Sequence, residues 1–347
     1  MIYCFMKEIL VGLSGGVDSA VTVKLLQEQG FFVRGVFLKM LPENDLKRAE
    51  ILAKQLGIEL LVENLTNIFR KEVIEIFVKN YQKGLTPNPC VHCNPKIKFK
   101  HLLAVADKLN IDLVATGHYA KIKKVGNDFI LEKGEDKIKD QSYFLSRLSQ
   151  QQLARIKLPL GEFRKDEIKN IAKKDNLSIP KSESQDVCFL AGIKTIDFLK
   201  KYSLQQEFLG GDIINENGEV VGQHKGLLGY TIGQRKGLDL GGGPFYVIGK
   251  DREKNILLVS RDRNGLNNKE VVFGEVSWIN EAPKEGKEYQ AKIRSQMKEV
   301  AVTVDKLTES SWRIKSLKND FWAVAPGQAV VVYDREKVVG GGVIASL

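Results

Sequence analysis

The sequence predicts an α/β domain, in which a parallel sheet carries helices on both faces, followed by a small central α+β or β domain and a C-terminal β-barrel. Three observations support this fold class. Residues 8–120 alternate apolar strand patterns with amphipathic helix patterns. Residues 140–200 are mainly helical in pattern, and from about residue 205 short β-like runs alternate with Gly-rich turns. The expected domains are 1–203, 204–266 and 267–347.

The first domain is predicted to contain four strands and six helices. The predicted strands are 9–13, 33–39, 59–63 and 113–116. The predicted helices are 19–29, 45–56, 68–83, 96–109, 164–176 and 195–202. Strands that alternate with helices form a parallel sheet, and such sheets bind ligands at the carboxyl ends of their strands. We therefore expect a ligand at the loop that follows the first strand.

The last part of the chain is predicted to be all β. Six strand patterns follow one another at regular spacing: 273–279, 289–294, 300–307, 312–316, 328–333 and 338–345. This arrangement is typical of a small closed barrel or of a sandwich.

The charge of the chain suggests a class of partner. The net charge is +10 and the pI is about 9.2. Such an excess favours a polyanion such as nucleic acid, although pairs such as Lys123-Lys124 are equally typical of a solvated surface. No apolar stretch approaches the roughly 18–20 residues of a membrane span, and the N-terminus resembles neither a signal peptide nor a transit peptide. We expect a cytoplasmic protein without a membrane partner.

A Gly-rich turn joins the first predicted strand to the first predicted helix. Its sequence, SGGVDS, runs from Ser14 to Ser19. Adjacent glycines let backbone N–H groups approach phosphate oxygens, and the helix N-terminus adds partial positive charge. The turn lacks the Gly-Lys-Ser/Thr ending of a P-loop and the GxGxxG spacing of a dinucleotide site. It resembles the PP-loop of ATP pyrophosphatases, which cleave ATP between the α and β phosphates and adenylate a substrate. An ordinary Gly-rich turn is the alternative.

The cysteines form the second chemical feature of the sequence. The chain contains four: Cys4, Cys90, Cys93 and Cys188. These are too few for a disulfide scaffold, and the single CxxC lacks the second ligand pair of a structural zinc site, so no metal site is expected. The proline-rich segment 86–94 around the CxxC predicts a rigid loop, and the basic run 96–100 suits phosphate contact or a lowered thiol pKa. Cys188 alone is more typical of buried packing.

An adenylating loop combined with two separated thiols supplies what sulfur insertion requires. A carbonyl oxygen is a poor leaving group until it is adenylated. A persulfide on one cysteine then provides a nucleophilic sulfur at neutral pH. A second cysteine resolves the persulfide, which leaves a disulfide that a cellular reductant must open.

Segments along nearly the whole chain resemble those of bacterial tRNA-specific 2-thiouridylases, a family with a mitochondrial relative. The matching segments are 12–19, 35–40, 86–94, 97–99, 115–120, 139–145, 158–161, 186–189, 229–235 and 326–330. Each segment alone is only suggestive, whereas their joint order is specific. The resemblance implies a PP-loop domain, a small central domain and a C-terminal β-barrel, in agreement with the patterns above.

The resemblance also implies roles for individual residues. Cys93 would be the nucleophile, Cys188 would carry the persulfide, and the two would form a transient disulfide. The expected ATP-binding residues are Gly12, Leu13, Ser14, Gly15, Gly16, Val17, Asp18, Ser19, Leu38 and Gly117. The residues expected to face the target base are Asn88, Pro89 and Cys90. The residues expected to contact tRNA are His118, Lys139, Asp140, Gln141, Arg294, Ser295 and Gln328.

Some of these roles have plainer alternatives. Some family members carry an aspartate at the position of Cys90, which puts an acid–base role there in doubt, and longer relatives have more residues after Met40. Without the resemblance, His118 is typical of a core histidine at a strand end, and residues 139–141 are typical of a capping turn.

The activity implied by the resemblance is ATP-dependent 2-thiolation of wobble uridine 34 in the tRNAs for lysine, glutamate and glutamine. Mg²⁺ is expected with ATP, and sulfur would arrive as a persulfide from a cysteine desulfurase or a sulfur-relay protein. A monomer is expected. Two other functions stay open. A PP-loop ligase of the NAD or GMP synthetase type would need neither Cys93 nor Cys188, and an RNA-binding protein with a degenerate ATP site would not be an enzyme.

Overall fold

The computed structural model describes residues 7–41, 46–177, 187–190, 192–202 and 208–345. Cys4, the Gln185-Asp186 pair that precedes Val187-Cys188, and the expected domain boundary between residues 203 and 204 lie outside the described residues. Within the ranges that are described, no helix combines the length and the apolar character needed to cross a membrane.

The first part of the chain contains seven strands and ten helices among its described residues. The strands are β1 (Glu8–Gly12), β2 (Phe32–Lys39), β3 (Leu60–Asn64), β4 (Leu113–Ala115), β5 (Ala120–Val125), β6 (Asp128–Lys133) and β7 (Ile156–Lys157). The helices are α1 (Val17–Glu28), α2 (Leu46–Leu56), α3 (Thr66–Phe69), α4 (Glu75–Gln82), α5 (Pro89–Cys93), α6 (Phe99–Lys108), α7 (Ser142–Leu145), α8 (Gln150–Leu153), α9 (Lys165–Lys174) and α10 (Thr195–Leu199). Short π-helical turns, Arg70–Ile74 and Asn94–Lys98, join α3 to α4 and α5 to α6.

Five of these strands form the predicted parallel sheet, in the order β3-β2-β1-β4-β7. Alternate residues of β1 face opposite layers. Ile9 and Val11 pack in one core with residues of α1 and α2, whereas Leu10 packs in another with residues of α6. The sheet therefore carries helices on both faces, and this prediction is confirmed.

The central part forms a separate four-stranded sheet. Its strands are β8 (Gly211–Ile214), β9 (Val220–His224), β10 (Tyr246–Asp251) and β11 (Ile256–Ser260), in the order β10-β11-β8-β9. Ile213, Val247, Leu257 and Val259 are fully buried and belong to one apolar cluster within this sheet. The Gly-rich turns noted in the sequence connect these short strands.

The C-terminal part closes into a six-stranded barrel. The eight described strands of this part are β12 (Asn267–Asn268), β13 (Glu270–Trp278), β14 (Tyr289–Lys292), β15 (Val300–Lys306), β16 (Ser311–Ser316), β17 (Phe321–Trp322), β18 (Ala329–Asp334) and β19 (Lys337–Ile344). Of these, β12 and β17 pair with each other in a separate two-stranded sheet, and the other six form the barrel. The order β13-β16-β15-β14-β18-β19 returns to β13 through antiparallel pairing with β19. All six predicted strands are present, and of the two predicted alternatives the barrel is confirmed.

The hairpin β5–β6 was not predicted, and it ties the first part of the chain to the barrel. Glu132 of β6 pairs with Lys337 of β19. The ammonium group of Lys133, which is 8% exposed, lies 2.8 Å from Glu299 and donates to the carbonyl oxygen of Arg335 at 2.7 Å. Because Lys133 is buried and both of its partners come from the barrel region, the hairpin acts as a fixed bridge between the two.

Candidate active site

The phosphate-type loop has the geometry that its glycines predict. β1 ends at Gly12 and α1 begins at Val17, with Gly16 as the extended N-cap residue. Gly15 has a φ of +85°, and a Cβ there would lie 3.0 Å from the Cβ of Arg48, so both the backbone and the space favour glycine. Ser19 donates to the carbonyl oxygen of Gly16 at 2.9 Å. Ser19 thus braces the loop from inside, and neither it nor Asp18 caps the helix through its side chain.

The loop lies at the point where the sheet reverses its strand order. The chain runs outward through β2 and β3 and then returns to β4 on the other side of β1. Ligands of such sheets bind in the crevice at this switch point. Gly117 follows β4, and a Cβ on it would lie 2.8 Å from the carbonyl carbon of Asp18, so only glycine fits there. Gly12, Leu38 and Gly117 therefore stand at the ends of three adjacent strands, as an ATP site requires.

Two residues that sequence reasoning missed hold Asp18 in place. Lys165, at the start of α9, donates to both carboxylate oxygens of Asp18 at 2.7 and 2.8 Å. The hydroxyl of Tyr119 donates to the same carboxylate at 2.7 Å. Lys165 is only 7% exposed, whereas its sequence context is that of a solvated lysine on an amphipathic helix. No local signal identifies it, because the contact spans 147 positions of sequence.

The CxxC lies on a helix and not on the rigid loop that its prolines predict. Pro89 is the first residue of α5, where a missing N–H costs nothing, and the helix carries Cys90 and Cys93. The π-helical turn that follows contains Pro95 and leads directly into α6. The predicted helix 96–109 therefore begins seven residues earlier, at Pro89.

Cys188 comes close to the two thiols of the CxxC. Its neighbour Phe189 packs edge-on against Phe77, with ring centroids 5.0 Å apart, and shares an apolar cluster with Cys93. The Cys188 thiol lies near enough to Cys93 to contribute to the raised pKa of the Cys93 thiol. All three described cysteines are reduced, and Cys188 is the exposed one. The structure thus brings together the two cysteines that the resemblance paired.

Burial governs the acidity of these thiols. Desolvation raises the pKa of Cys93 to about 12 and that of Cys90 to about 11. Desolvation by the surrounding protein also raises the pKa of Cys188. The side chain of Cys188 is nevertheless the most exposed of the three. At neutral pH the thiols are therefore protonated in this arrangement, and reaction requires their activation.

Residues 139–141 of the first domain, which are candidates for tRNA contact, form hydrogen bonds within that domain. Asp140 accepts hydrogen bonds from the backbone N–H groups of Gly134 and Ser142 at 2.9 and 3.1 Å. The side-chain oxygen of Gln141 accepts from the N–H of Tyr119 at 3.0 Å. The N–H of Lys139 donates to Asp136 at 3.1 Å. These bonds match the capping-turn alternative for this segment and fix the turn that precedes α7.

The candidate tRNA-contact residues Arg294 and Gln328 of the barrel donate hydrogen bonds to backbone carbonyl groups, some of which belong to the other parts of the chain. Gln328 donates to the carbonyl oxygen of Thr86 at 2.7 Å, just before Asn88, Pro89 and Cys90. Arg294 donates to the carbonyl oxygens of Ile232 at 3.0 Å and Ala323 at 2.6 Å. Ser295, beside Arg294, is partly exposed. Gln328 therefore ties the barrel to the segment that precedes α5, and Arg294 ties it to the central part of the chain.

The acid stability of the fold is expected to depend on His118. Burial and the Lys98 ammonium hold the pKa of His118 well below its usual value, so the folded protein keeps this ring neutral. An unfolded histidine takes up a proton near pH 6.5. The contribution of His118 to the free energy of unfolding is therefore fully present above that pH and is lost progressively as the pH is lowered below it. Replacing His118 with Gln is expected to reduce this slope by up to about 1.4 kcal/mol per pH unit. Urea unfolding between pH 5 and 8 measures it, and His101→Gln is expected to give a smaller change in the same direction, because burial also lowers the pKa of His101, whereas that of His118 lies well below its usual value. Equal slopes in all three proteins would contradict the assignment.

Three family models match consecutive parts of the chain. They are described as a tRNA methyl transferase HUP domain (residues 7–192), a tRNA methyl transferase PRC-barrel domain (196–261) and an aminomethyltransferase beta-barrel domain (268–344). The tRNA-specific 2-thiouridylase MnmA of Methylobacillus flagellatus is 40% identical over 98% of this chain and 99% of its own length. The chain belongs to the tRNA-specific 2-thiouridylase family. The resemblance found in the sequence is thereby confirmed.

Further members of the 2-thiouridylase family match over the same extent. The MnmA 2 protein of Aliarcobacter butzleri is 37% identical over 98% of both chains. The MnmA protein of Nitrosomonas eutropha is 39% identical over 97% of this chain and 98% of its own. Because these alignments cover almost all of each protein, family membership extends to all three parts of the chain.

Proposed function

We propose that the protein is an ATP-dependent tRNA 2-thiouridylase that replaces the C2 oxygen of wobble uridine 34 with sulfur. The observation that carries this proposal is the cluster of Cys93 and Cys188 in the same domain as a glycine-rich phosphate loop at the sheet's switch point. A family model is named for methyl transfer, but this pairing of a phosphate loop with two thiols suits adenylation followed by sulfur transfer.

The proposed reaction has three bond-changing steps. The C2 oxygen attacks the α phosphorus of ATP, forms a uridine–AMP adduct and releases pyrophosphate. The terminal sulfur of a Cys188 persulfide then attacks C2, and AMP leaves with the former C2 oxygen. Cys93 finally attacks the sulfur of Cys188 and breaks its bond to the transferred sulfur. This step leaves 2-thiouridine and a Cys93–Cys188 disulfide, which an external dithiol reduces with two electrons.

The residues around the loop fit ATP with its cation. Gly16 leaves its backbone open to a ligand, since the Ser14 hydroxyl, at 3.6 Å, is the one described group that a Cβ there would meet, and the N-terminus of α1 favours anionic oxygens. Among the described residues, no group of three or more His, Cys, Asp and Glu side chains is arranged to hold a metal ion. Mg²⁺ in this proposal is therefore held mainly by the ATP phosphates, which it neutralises, as is usual for Mg²⁺-nucleotide sites.

The proposed partners follow from this chemistry. The substrates are the tRNAs for lysine, glutamate and glutamine, and the sulfur comes from a cysteine desulfurase or a sulfur-relay protein. A monomer in the cytoplasm is proposed, where ATP, tRNA and reducing thiols occur together. In this scheme the exposed Cys188 is the thiol that a donor protein reaches first.

The direct test is nucleoside analysis of tRNA after reaction. The purified protein is incubated with lysine tRNA transcript, Mg-ATP, a dithiol reductant and either sulfide or a desulfurase with cysteine. Digestion and mass spectrometry are expected to detect 2-thiouridine, together with equal amounts of AMP. A small-molecule ligase would form AMP without needing the thiols or tRNA, and a non-enzymatic RNA-binding protein would release no pyrophosphate. Either result would overturn the proposal.

Binding of tRNA is expected to depend steeply on salt. A protein that neutralises roughly six phosphates loses about a thousandfold in affinity between 50 and 200 mM salt. The net charge of +10 makes this number of contacts reasonable. Filter binding or anisotropy with labelled tRNA at four salt concentrations measures the slope. A flat response would mean that the positive charge lies away from the tRNA interface.

A further inference from the structure

A π-helical turn brings Lys98 back towards the nucleophile candidate. In an α-helix, residues three and four positions apart share a face, whereas a π-helical turn aligns residues five positions apart. The turn Asn94–Lys98 gives Lys98 this relation to Cys93, and the backbone N–H of Lys98 is a hydrogen-bond donor to the Cys93 sulfur. Lys96 and Lys100, in the same basic run, are exposed, whereas Lys98 is partly buried.

His118 fixes the ammonium group of Lys98. The Nζ of Lys98 lies 3.4 Å from Nε2 of His118, and Nδ1 of His118 lies 2.7 Å from Oγ1 of Thr116. A protonated lysine can only donate, so Nε2 accepts and the ring proton sits on Nδ1, from which it is donated to Thr116. The ring also packs against Phe99, with centroids 5.7 Å apart. His118 therefore acts as a neutral, oriented acceptor.

Lys98 is the one cation among the groups that face all three described thiols. The titratable groups around Cys93 are Lys98, Cys188 and Cys90. For each thiol, Lys98 lowers the pKa, against the larger opposing effect of burial. For Cys93 and Cys188 it is the strongest charge present, whereas for Cys90 the neighbouring Cys188 acts more strongly. The ammonium group of Lys98 is thus placed to favour the thiolate form of Cys93 and Cys188, the two cysteines assigned to sulfur transfer.

We propose that Lys98 stabilises the anionic sulfur of Cys93 and Cys188 during sulfur transfer, and that His118 positions it. This role rests on the proposed thiol chemistry. When Cys93 attacks Cys188, its proton passes to solvent, and negative charge moves from the Cys93 sulfur to the sulfur on the base. A fixed ammonium group beside both cysteines lowers the energy of that charge throughout the step. Thr116 follows β4 beside the phosphate loop, so the chain Lys98–His118–Thr116 also links the thiols to the nucleotide end of the sheet.

The proposal is tested by the pH dependence of thiol alkylation, in the absence of ATP and tRNA. Wild type, Lys98→Met, Lys98→Arg and Lys100→Met are treated with a small alkylating reagent, and peptides with Cys93 and Cys188 are quantified separately. Lys98→Met is expected to move both profiles up by about one pH unit and to slow alkylation at pH 7 about tenfold. Lys98→Arg keeps the charge and is expected to stay near wild type, as is the exposed control Lys100→Met.

Further measurements separate this role from a structural one and from the proposed function. His118→Gln is expected to give a smaller shift in the same direction, and Lys98→Met is expected to keep ATP-dependent pyrophosphate release while losing thiolation. If Lys98→Met fails to fold, the profile of His118→Gln decides the matter. Profiles of folded Lys98→Met or His118→Gln that superimpose on wild type would overturn the proposal. Because alkylation needs neither tRNA nor ATP, a failed thiolation assay would remove the proposed function without affecting this result.

Discussion

Replacing Cys93 with serine is expected to abolish 2-thiouridine formation while leaving persulfide loading on Cys188 intact. A thiol with a pKa of about 12 is protonated at neutral pH, so its reaction depends on local stabilisation of the anion, which a serine hydroxyl cannot match. We expect thiolation to fall by at least about a thousandfold, since the covalent step is lost. Quantitative nucleoside analysis measures the product, and alkylation followed by mass spectrometry measures the persulfide.

The other cysteines provide matched controls for this substitution. Cys188→Ser is expected to lose persulfide loading altogether, because Cys188 is the exposed thiol. Cys90→Ser is expected to keep substantial activity, because the family resemblance assigns the nucleophile to Cys93 and not to Cys90. An active Cys93→Ser with an inactive Cys90→Ser would reverse the assignment within the CxxC. Activity in both would contradict the thiol mechanism.

Most of the backbone architecture could be predicted from local patterns of the sequence. The alternation of apolar strands and amphipathic helices predicted the parallel sheet, and the regular spacing of short strands predicted the six barrel strands. The hairpin β5–β6 escaped prediction although Gly126, with a φ of +61°, marks its turn. Its strands carry many lysines, and its partner β19 lies about 200 positions further along the chain. The local pattern of a strand does not specify a partner so far away in the sequence, as the correctly predicted strand β19 shows.

The candidate site shows a similar division. The glycines of the phosphate loop and the two separated cysteines could be found because each residue type is tied to one chemical need, whereas Gly117 was indicated only by the family resemblance. Asn94–Lys98 could not be predicted as a π-helical turn, because prolines at positions 89 and 95 point equally to an open loop. As a result, the roles of Lys96, Lys98 and Lys100 could not be distinguished from the sequence. Only the three-dimensional structure separates the partly buried Lys98 from its two exposed neighbours.

No pattern in the sequence indicated the contact between Lys165 and Asp18. Its removal is expected to have the second large effect, on both stability and ATP affinity. Replacing Lys165 with Met is expected to destabilise the fold by about 3 kcal/mol, the lower end for breaking a buried ion pair. The lower end applies because the Asp18 side chain is 34% exposed and keeps its bond to Tyr119. The substitution also removes the ammonium group that lies beside the Asp18 carboxylate at the first turn of α1, where the ATP phosphates are expected. ATP affinity is therefore expected to fall as well, by about tenfold or more for a loss of 1.4 kcal/mol.

A double substitution separates the two consequences. In Lys165→Met/Asp18→Asn both charges are gone, so the stability lost through the unpaired carboxylate is expected to return, as measured by thermal unfolding. If Lys165 only neutralises Asp18, ATP binding returns with it. If the ammonium group also attracts the phosphates, stability recovers but ATP binding does not. Lys174→Met, an exposed lysine on the same helix, is the matched control and is expected to change neither quantity. A Lys165→Met protein with unchanged stability and ATP affinity would contradict the role assigned to this pair.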